Sequence, residues 1–230
     1  MPHFTGCEWV SFDCYGTLVD WETGISTAVA KALKPHGVRK SRAELLRLFS
    51  EVEPRAQSSE EYLECRLILR KVMEGIGAEV GVRFTEPDLT CLADTLPDWP
   101  VFPDVAEALD ALKARYKLAV ISNVDDDLFA KTAHALNVDF DAVVTSQQAR
   151  SYKPNLRNFN LAHERMGVEK ERWLHVAESL YHDIAPANRL GVKCVWVDRA
   201  DRGGGTRRTD AVPDLVVHDL GELARAVCAP

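Results

Sequence analysis

The stretch Trp9-Val10-Ser11-Phe12-Asp13-Cys14-Tyr15-Gly16-Thr17-Leu18 decides how the rest of the chain is read. It opens as a short apolar run, the pattern of a buried strand, and the run ends on a carboxylate. Gly16 follows where a tight turn is needed. Asp13 therefore stands at the tip of a buried first strand.

Downstream the periodicity changes. Glu22 to Leu33 has helical spacing, stopped by Pro35 and Gly37. Ser41 with Glu44 makes a capping box for a helix from Ala43 to Glu53 that Pro54 ends. Ser59 and two glutamates open an amphipathic helix reaching Gly75, and another covers Asp88 to Thr95. After Pro97 the apolar runs Leu118-Ala119-Val120-Ile121, Ala142-Val143-Val144, Leu174-His175-Val176, Cys194-Val195-Trp196-Val197 and Leu215-Val216-Val217 alternate with helical segments. That βαβ succession predicts an α/β fold with a doubly wound parallel sheet buried on both faces. The expected division is a core of residues 1–19 and 97–230, interrupted by a helical insert over 20–96.

The bulk numbers exclude several functions. Of 230 residues, 46% are hydrophobic and 27% charged, ordinary values for a globular protein. Lys and Arg number 28 against 35 Asp and Glu, so a net charge of -7 offers no field for nucleic acid or anionic lipid. No basic region leads into an apolar run at the start, and nothing approaches the ~18 apolar residues of a membrane span. Neither targeting nor membrane is expected, and the location expected is cytoplasmic. The six cysteines are dispersed without a CxxC pair and read as reduced thiols, Cys14 as a packing residue.

In an open parallel sheet, ligands bind outside the carboxyl ends of the strands. The polar residues at those ends are Asp13 with Tyr15 and Thr17, Ser122-Asn123, Lys153, and Glu178 with Asp183. Each alone has a plain explanation as a helix cap or a solvated side chain. Together, at one edge, they form a nucleophile with its supporting groups.

Four segments resemble the motifs of the haloacid dehalogenase (HAD) superfamily, in order and at strand ends. They are Phe12-Asp13-Cys14-Tyr15-Gly16-Thr17-Leu18, Ile121-Ser122-Asn123, Tyr152-Lys153-Pro154, and Val176-Ala177-Glu178-Ser179 with Asp183. The opening form is most similar to the type II 2-haloacid dehalogenases. The resemblance implies a Rossmann-like, HAD-like core closed by a helical cap over 20–96. It also implies Asp13 as nucleophile, Thr17 and Ser122 with Asn123 as oxyanion or substrate donors, and Lys153 as the cation balancing Asp13. A cap arginine should hold the substrate carboxylate. Of Arg42, Arg47, Arg55, Arg66 and Arg70, Arg47 stands nearest the expected place, although helix periodicity also allows it a solvated face. Tyr15, Ser179 and His182 complete the substrate-binding candidates. The family's tyrosine six residues after the lysine is Phe159 here.

Two enzymatic chemistries stay open, both beginning with attack by Asp13. Halide leaves without a proton, whereas an alkoxide needs the general acid that HAD phosphatases carry two residues after the nucleophile. That position is Tyr15, and losing such an acid costs ~10² to 10⁴ in rate. Tyr15 favours dehalogenation of a small 2-halo acid, with no cofactor required. Glu178 argues the other way. Asp13, Glu178 and Asp183 sum to -3 against +1 from Lys153, leaving -2 at a site for an anionic substrate. Mg2+ held by those three carboxylates would compensate, giving a phosphatase for a small phosphate ester. A third reading is a non-catalytic binding protein of the same fold. The expected partner in every case is a small anion, with no nucleic acid and no membrane, and apolar cap faces leave a homodimer open.

Three further features take structural readings. Asp125-Asp126-Asp127 serve as N-cap and first-turn charges for the following helix. His175, inside an apolar run, is a satisfied core histidine. Gly203-Gly204-Gly205 has no following Gly-Lys-Ser/Thr and reads as a mobile loop, not a phosphate cradle.

Overall fold

The computed structural model describes residues 4–57, 61–199 and 209–228, so the Ser59 helix start and the Gly203-Gly204-Gly205 run fall outside the described residues. Six strands form one sheet: β1 Trp9–Phe12, β2 Lys117–Ser122, β3 Ala142–Thr145, β4 Trp173–Ala177, β5 Lys193–Val197 and β6 Leu215–Val217. Their order is β3-β2-β1-β4-β5-β6 and every pairing is parallel. Phe12 pairs with Val120 on one side and Val176 on the other, so Asp13 emerges between the ends of β2 and β4. This is the point at which strand order reverses, where open α/β sheets place their ligands.

All four residues of β1 are buried. Val10 and Phe12 join Leu118, Val120, Leu174 and Val176 in the apolar layer on one face. Trp9 joins Ala119, Ile121 and Trp173 on the other. Burial of both faces explains why these strands read as continuous apolar runs without alternation.

Between β1 and β2 lie α1 Trp21–Leu33, α2 Arg42–Gln57, α3 Cys65–Val80 and α4 Glu86–Thr95, with no strand among the described residues of that segment. The Ser41–Glu44 box forms as expected, Ser41 N–H donating to Glu44 at 2.8 Å. Pro54, however, does not end α2. It forfeits one backbone donor, but Val52 and Ala56 beside it are buried, so packing carries the helix to Gln57. α4 starts at Glu86 because Thr85 and Asp88 form a second capping box, Thr85 N–H donating to Asp88 at 2.9 Å.

The largest departure is α3, which begins at Cys65. Its first N–H groups, those of Cys65 and Arg66, donate to the Asp125 carboxylate at 2.7 and 3.0 Å, and Arg66 Nε adds a third bond at 3.1 Å. Asp125 occupies the N-cap position of α6 (Asp126–Leu136) without bonding it through its side chain. The expected cap for the following helix is thus a cap for a helix 60 residues upstream. A carboxylate suits either helix N-terminus, and the buried one claims it.

The remaining helices are α5 Val105–Lys113, α7 Ser146–Ala149, α8 Leu156–Met166, α9 Ala185–Leu190 and α10 Leu220–Cys228, with a π turn over Leu180–Ile184 before α9. The two connections between the sheet and the α1–α4 segment are laced together. Phe102 N–H donates to Leu18 C=O at 3.0 Å and Asp20 N–H to Pro100 C=O at 2.8 Å. Arg199 clamps both, donating to Thr17 C=O at 2.7 Å and to Asp104 at 3.0 Å.

Candidate active site

Asp13 extends β1 by one residue, its N–H donating to Val176 C=O at 3.1 Å. The chain then turns tightly, with Leu18 N–H donating to Cys14 C=O at 2.7 Å and Gly16 N–H to Val19 C=O at 2.8 Å. Gly16 has a φ of +108, and a side chain there would meet Trp21 at 3.2 Å and Glu178 at 3.4 Å. Only glycine suits both the backbone angle and the close approach. The turn brings Thr17 back onto Asp13, its hydroxyl donating to Oδ2 at 2.9 Å, and Thr17 Oγ1 accepts Glu178 N–H at 2.9 Å.

Lys153 completes the centre. Its buried ammonium donates to Asp13 Oδ1 at 2.7 Å, Asp183 Oδ1 at 2.7 Å and Ile121 C=O at 2.8 Å, placing all three protons. Asn123 holds the backbone of that lysine, accepting Lys153 N–H at 2.7 Å and donating to Lys153 C=O at 3.3 Å. Its amide oxygen and one amide N–H are thus engaged with the Lys153 backbone. Ser122 is different. Its Oγ is buried with no hydrogen-bond partner, as is Asp183 Oδ2. Buried polar atoms without a partner are rare, and these two lie at the carboxyl end of β2 and in the π turn that follows β4.

Electrostatics separate the carboxylates. Burial pushes Asp13 above the usual carboxylate range, Lys153 pulls it down, and Asp183 pushes it up again. Burial also acts upward on Asp183, but Lys153 and His175 outweigh it and hold that carboxyl low. The Lys153 ammonium loses stability by burial and regains more from Asp13 and Asp183, so it is held charged. Glu178 is pushed up to about 7, first by burial and then by Asp13 and Asp183. At neutral pH it is therefore only partly ionised, which relieves the -2 counted from the sequence.

Several expected ligands lie elsewhere. Arg47 stands on the solvent side of α2, paired with Glu51 at 2.8 Å one turn on, the solvated position that its helix periodicity allowed. The Tyr15 hydroxyl is within 2.9 Å of Thr132 Oγ1 in α6, and its ring packs edge-on against Trp99, so it is engaged inside the protein. Ser179 and His182 are bonded to each other within the π turn, Ser179 Oγ lying 3.1 Å from both His182 N and Nδ1. His175 is buried as expected of a core histidine. Its partner was not foreseen: Nε2 lies 3.0 Å from Asp183 Oδ1.

Among the described residues, no three His, Cys, Asp or Glu side chains are grouped to hold a metal ion. The Lys153 ammonium bridges Asp13 Oδ1 and Asp183 Oδ1, and Asp183 Oδ2 stays without a partner. What the arrangement supplies is a buried carboxylate held by a lysine and a threonine, the groups a carboxylate nucleophile would need, with Ser122 at the end of β2.

The sequence matches the family of haloacid dehalogenase-like hydrolases over residues 7–191. It is 29% identical over 226 residues to an (S)-2-haloacid dehalogenase of Pseudomonas fluorescens, covering 93% of each chain. It is 27% identical over 230 residues to a phosphoglycolate phosphatase of Aquifex aeolicus, covering 94% of each. The structure of an L-2-haloacid dehalogenase from Xanthobacter autotrophicus superposes with a TM-score of 0.81 at 23% identity, over 97% of this chain and 99% of that one, a likeness of fold.

Proposed function

This chain belongs to the haloacid dehalogenase-like hydrolases, and from that premise we propose that it cleaves the carbon–halogen bond of a small 2-halo acid through an ester on Asp13. The observation that carries the reading is Tyr15, which stands where a phosphatase of this family needs a carboxyl acid and whose hydroxyl is engaged with Thr132. A leaving group that needs no proton suits such a site.

An Asp13 oxygen attacks C2 of the substrate, the carbon–halogen bond breaks, and halide departs with the electron pair. The product is an ester in which the Asp13 carboxyl is joined through oxygen to C2 of the substrate, and C2 is inverted. Water then adds to the ester carbonyl of Asp13, which restores the carboxylate and releases the 2-hydroxy acid and a proton. Lys153 and Thr17 orient Asp13 for the first step and steady the developing oxyanion in the second. Ser122 Oγ offers the substrate an uncommitted hydroxyl. The α1–α4 segment serves as the cap over this edge. The reaction draws on no cofactor.

The reading is supported by the 29% identical (S)-2-haloacid dehalogenase aligned along nearly the full chain. Incubation with 2-chloropropionate and 2-fluoroacetate in the presence of a chelator should release halide. Hydrolysis in H₂¹⁸O should label Asp13, and Asp13→Asn should do neither. No halide from a panel of such acids, together with magnesium-dependent phosphate release from small phosphate esters, overturns it in favour of the phosphatase.

A further inference from the structure

On the sheet face formed by Trp9, Ala119 and Trp173, a buried line of polar groups runs toward the site. Trp173 Nε1 donates to Ser11 Oγ at 2.7 Å, and Ser11 Oγ lies 2.7 Å from His175 Nδ1. His175 Nε2 lies 3.0 Å from Asp183 Oδ1, which also receives Lys153 Nζ at 2.7 Å. Ser11, Trp173 and His175 are 0% exposed and Asp183 is 1% exposed, so water supplies no alternative partner.

The line has one direction. An indole N–H can only donate, so Ser11 Oγ accepts from Trp173 and keeps its own proton available for His175 Nδ1, while the Asp183 carboxylate can only accept, so His175 Nε2 carries a proton toward it. With Nδ1 accepting, the single ring proton sits on Nε2 and points at Asp183. Phe159 packs edge-on against the imidazole at 5.1 Å and fixes the ring plane without offering Asp183 a donor.

We propose that His175 is a positioning residue for the reaction at Asp13: the Trp173–Ser11 pair fixes its Nε2–H tautomer, and that N–H holds Asp183 so that Lys153 stays shared between Asp183 and Asp13. Asp183 Oδ1 carries two donors and Oδ2 none. Without His175 the carboxylate is held by Lys153 alone. It then turns to take the ammonium with both oxygens, drawing it away from Asp13. The positioning of Asp183 is common to any chemistry Asp13 performs, while the kinetic expectation rests on the function proposed above.

Two sets of measurements separate the ideas. In ¹⁵N-histidine-labelled protein, with His175→Gln for assignment, His175 should show a protonated Nε2 and a bare Nδ1, and Ser11→Ala should mix the tautomers. A protonated Nδ1 in the wild type overturns the proposal, whether or not halide is released. A crystal structure of His175→Phe should show Asp183 rotated onto Lys153, and an unmoved Asp183 also overturns it. In turnover, His175→Phe should lower kcat by ~10 to 100-fold with KM nearly unchanged, as for outer partners of a reacting group. His175→Gln, whose side-chain amide reaches the Nε2 position, should recover most of that loss. If the glutamine variant melts like the wild type yet turns over no faster than the phenylalanine variant, positioning by the N–H is wrong. A wild type that releases no halide refutes the dehalogenase reading alone and leaves the tautomer and the Asp183 orientation to judge this one.

Discussion

The carboxyl edge of the sheet and the α1–α4 segment carry charge in opposite ways. At the sheet edge Asp13, Lys153 and Asp183 are each no more than 7% exposed and satisfy one another. In the helical segment Arg47–Glu51, Arg55–Glu79 and Arg70–Glu74 sit on the surface, two of them one helical turn apart. Exposed pairs of that kind contribute ~0.2 to 1 kcal/mol. A buried cluster costs several kcal/mol when one member is removed, since its partners stay behind unpaired. Apart from the buried Glu22, which Arg42 pairs at 3.1 Å, and Arg66, which reaches the buried Asp125, these charges of the helical segment lie on its surface, whereas those at the sheet edge form one buried cluster.

The sharpest way to break that contrast is Lys153→Met. It leaves two buried carboxylates facing each other and should cost ~3 to 5 kcal/mol in urea unfolding, with halide release falling by about 10³. A variant with wild-type stability would mean that the edge is wetter than described. Glu178 is the intermediate case. The folded chain raises its pKa from 4.5 to about 7 and so binds its proton more tightly than the unfolded chain does. The contribution of Glu178 to stability then falls as pH rises from 4.5 through 7, and Glu178→Gln should remove that part of the pH dependence. The variant should be equal to wild type near pH 4 and more stable by up to about 3 kcal/mol at pH 8. Equal stability at pH 8 would return Glu178 to the exposed class.

Asp125→Ala tests the seam between the two regions, because a core carboxylate caps the cap segment's α3. We expect a loss of about 2 kcal/mol, read by denaturant midpoint, with Asn recovering part of it. Arg47→Ala should be the smallest change, within ~0.5 kcal/mol in stability and with KM for a halo acid unaltered. A tenfold rise in KM would show that Arg47 leaves Glu51 when substrate binds.

The sheet edge was legible in the sequence because its signals are local. An apolar run ending on Asp13, a glycine where the turn needs a positive φ, and serine, lysine and aspartate at later strand ends need no knowledge of distant partners. The fold class followed from the same runs. What stayed hidden were pairings across long separations. Nothing near Asp125 points to Cys65, and nothing near His175 distinguishes a core histidine from one bonded to Asp183. Neither Tyr15 nor Asn123 shows in sequence that its polar end is already engaged, by Thr132 and by the Lys153 backbone. Pro54 misled for the converse reason, since a local stop signal was outweighed by burial of Val52 and Ala56.

The lacing of Leu18 to Phe102 and Asp20 to Pro100, clamped by Arg199, gives the fold a splice point. The chain leaves the sheet and returns to it through this one gate, while Asp125 and Tyr152 on the sheet side add contacts to α3 and to Leu63 of the helical segment. Closing a loop costs only about 0.6 kcal/mol more for each doubling of its length. Length can therefore change within the appended segment at little cost to the sheet, provided that the laced gate and the Asp125 cap of α3 are kept.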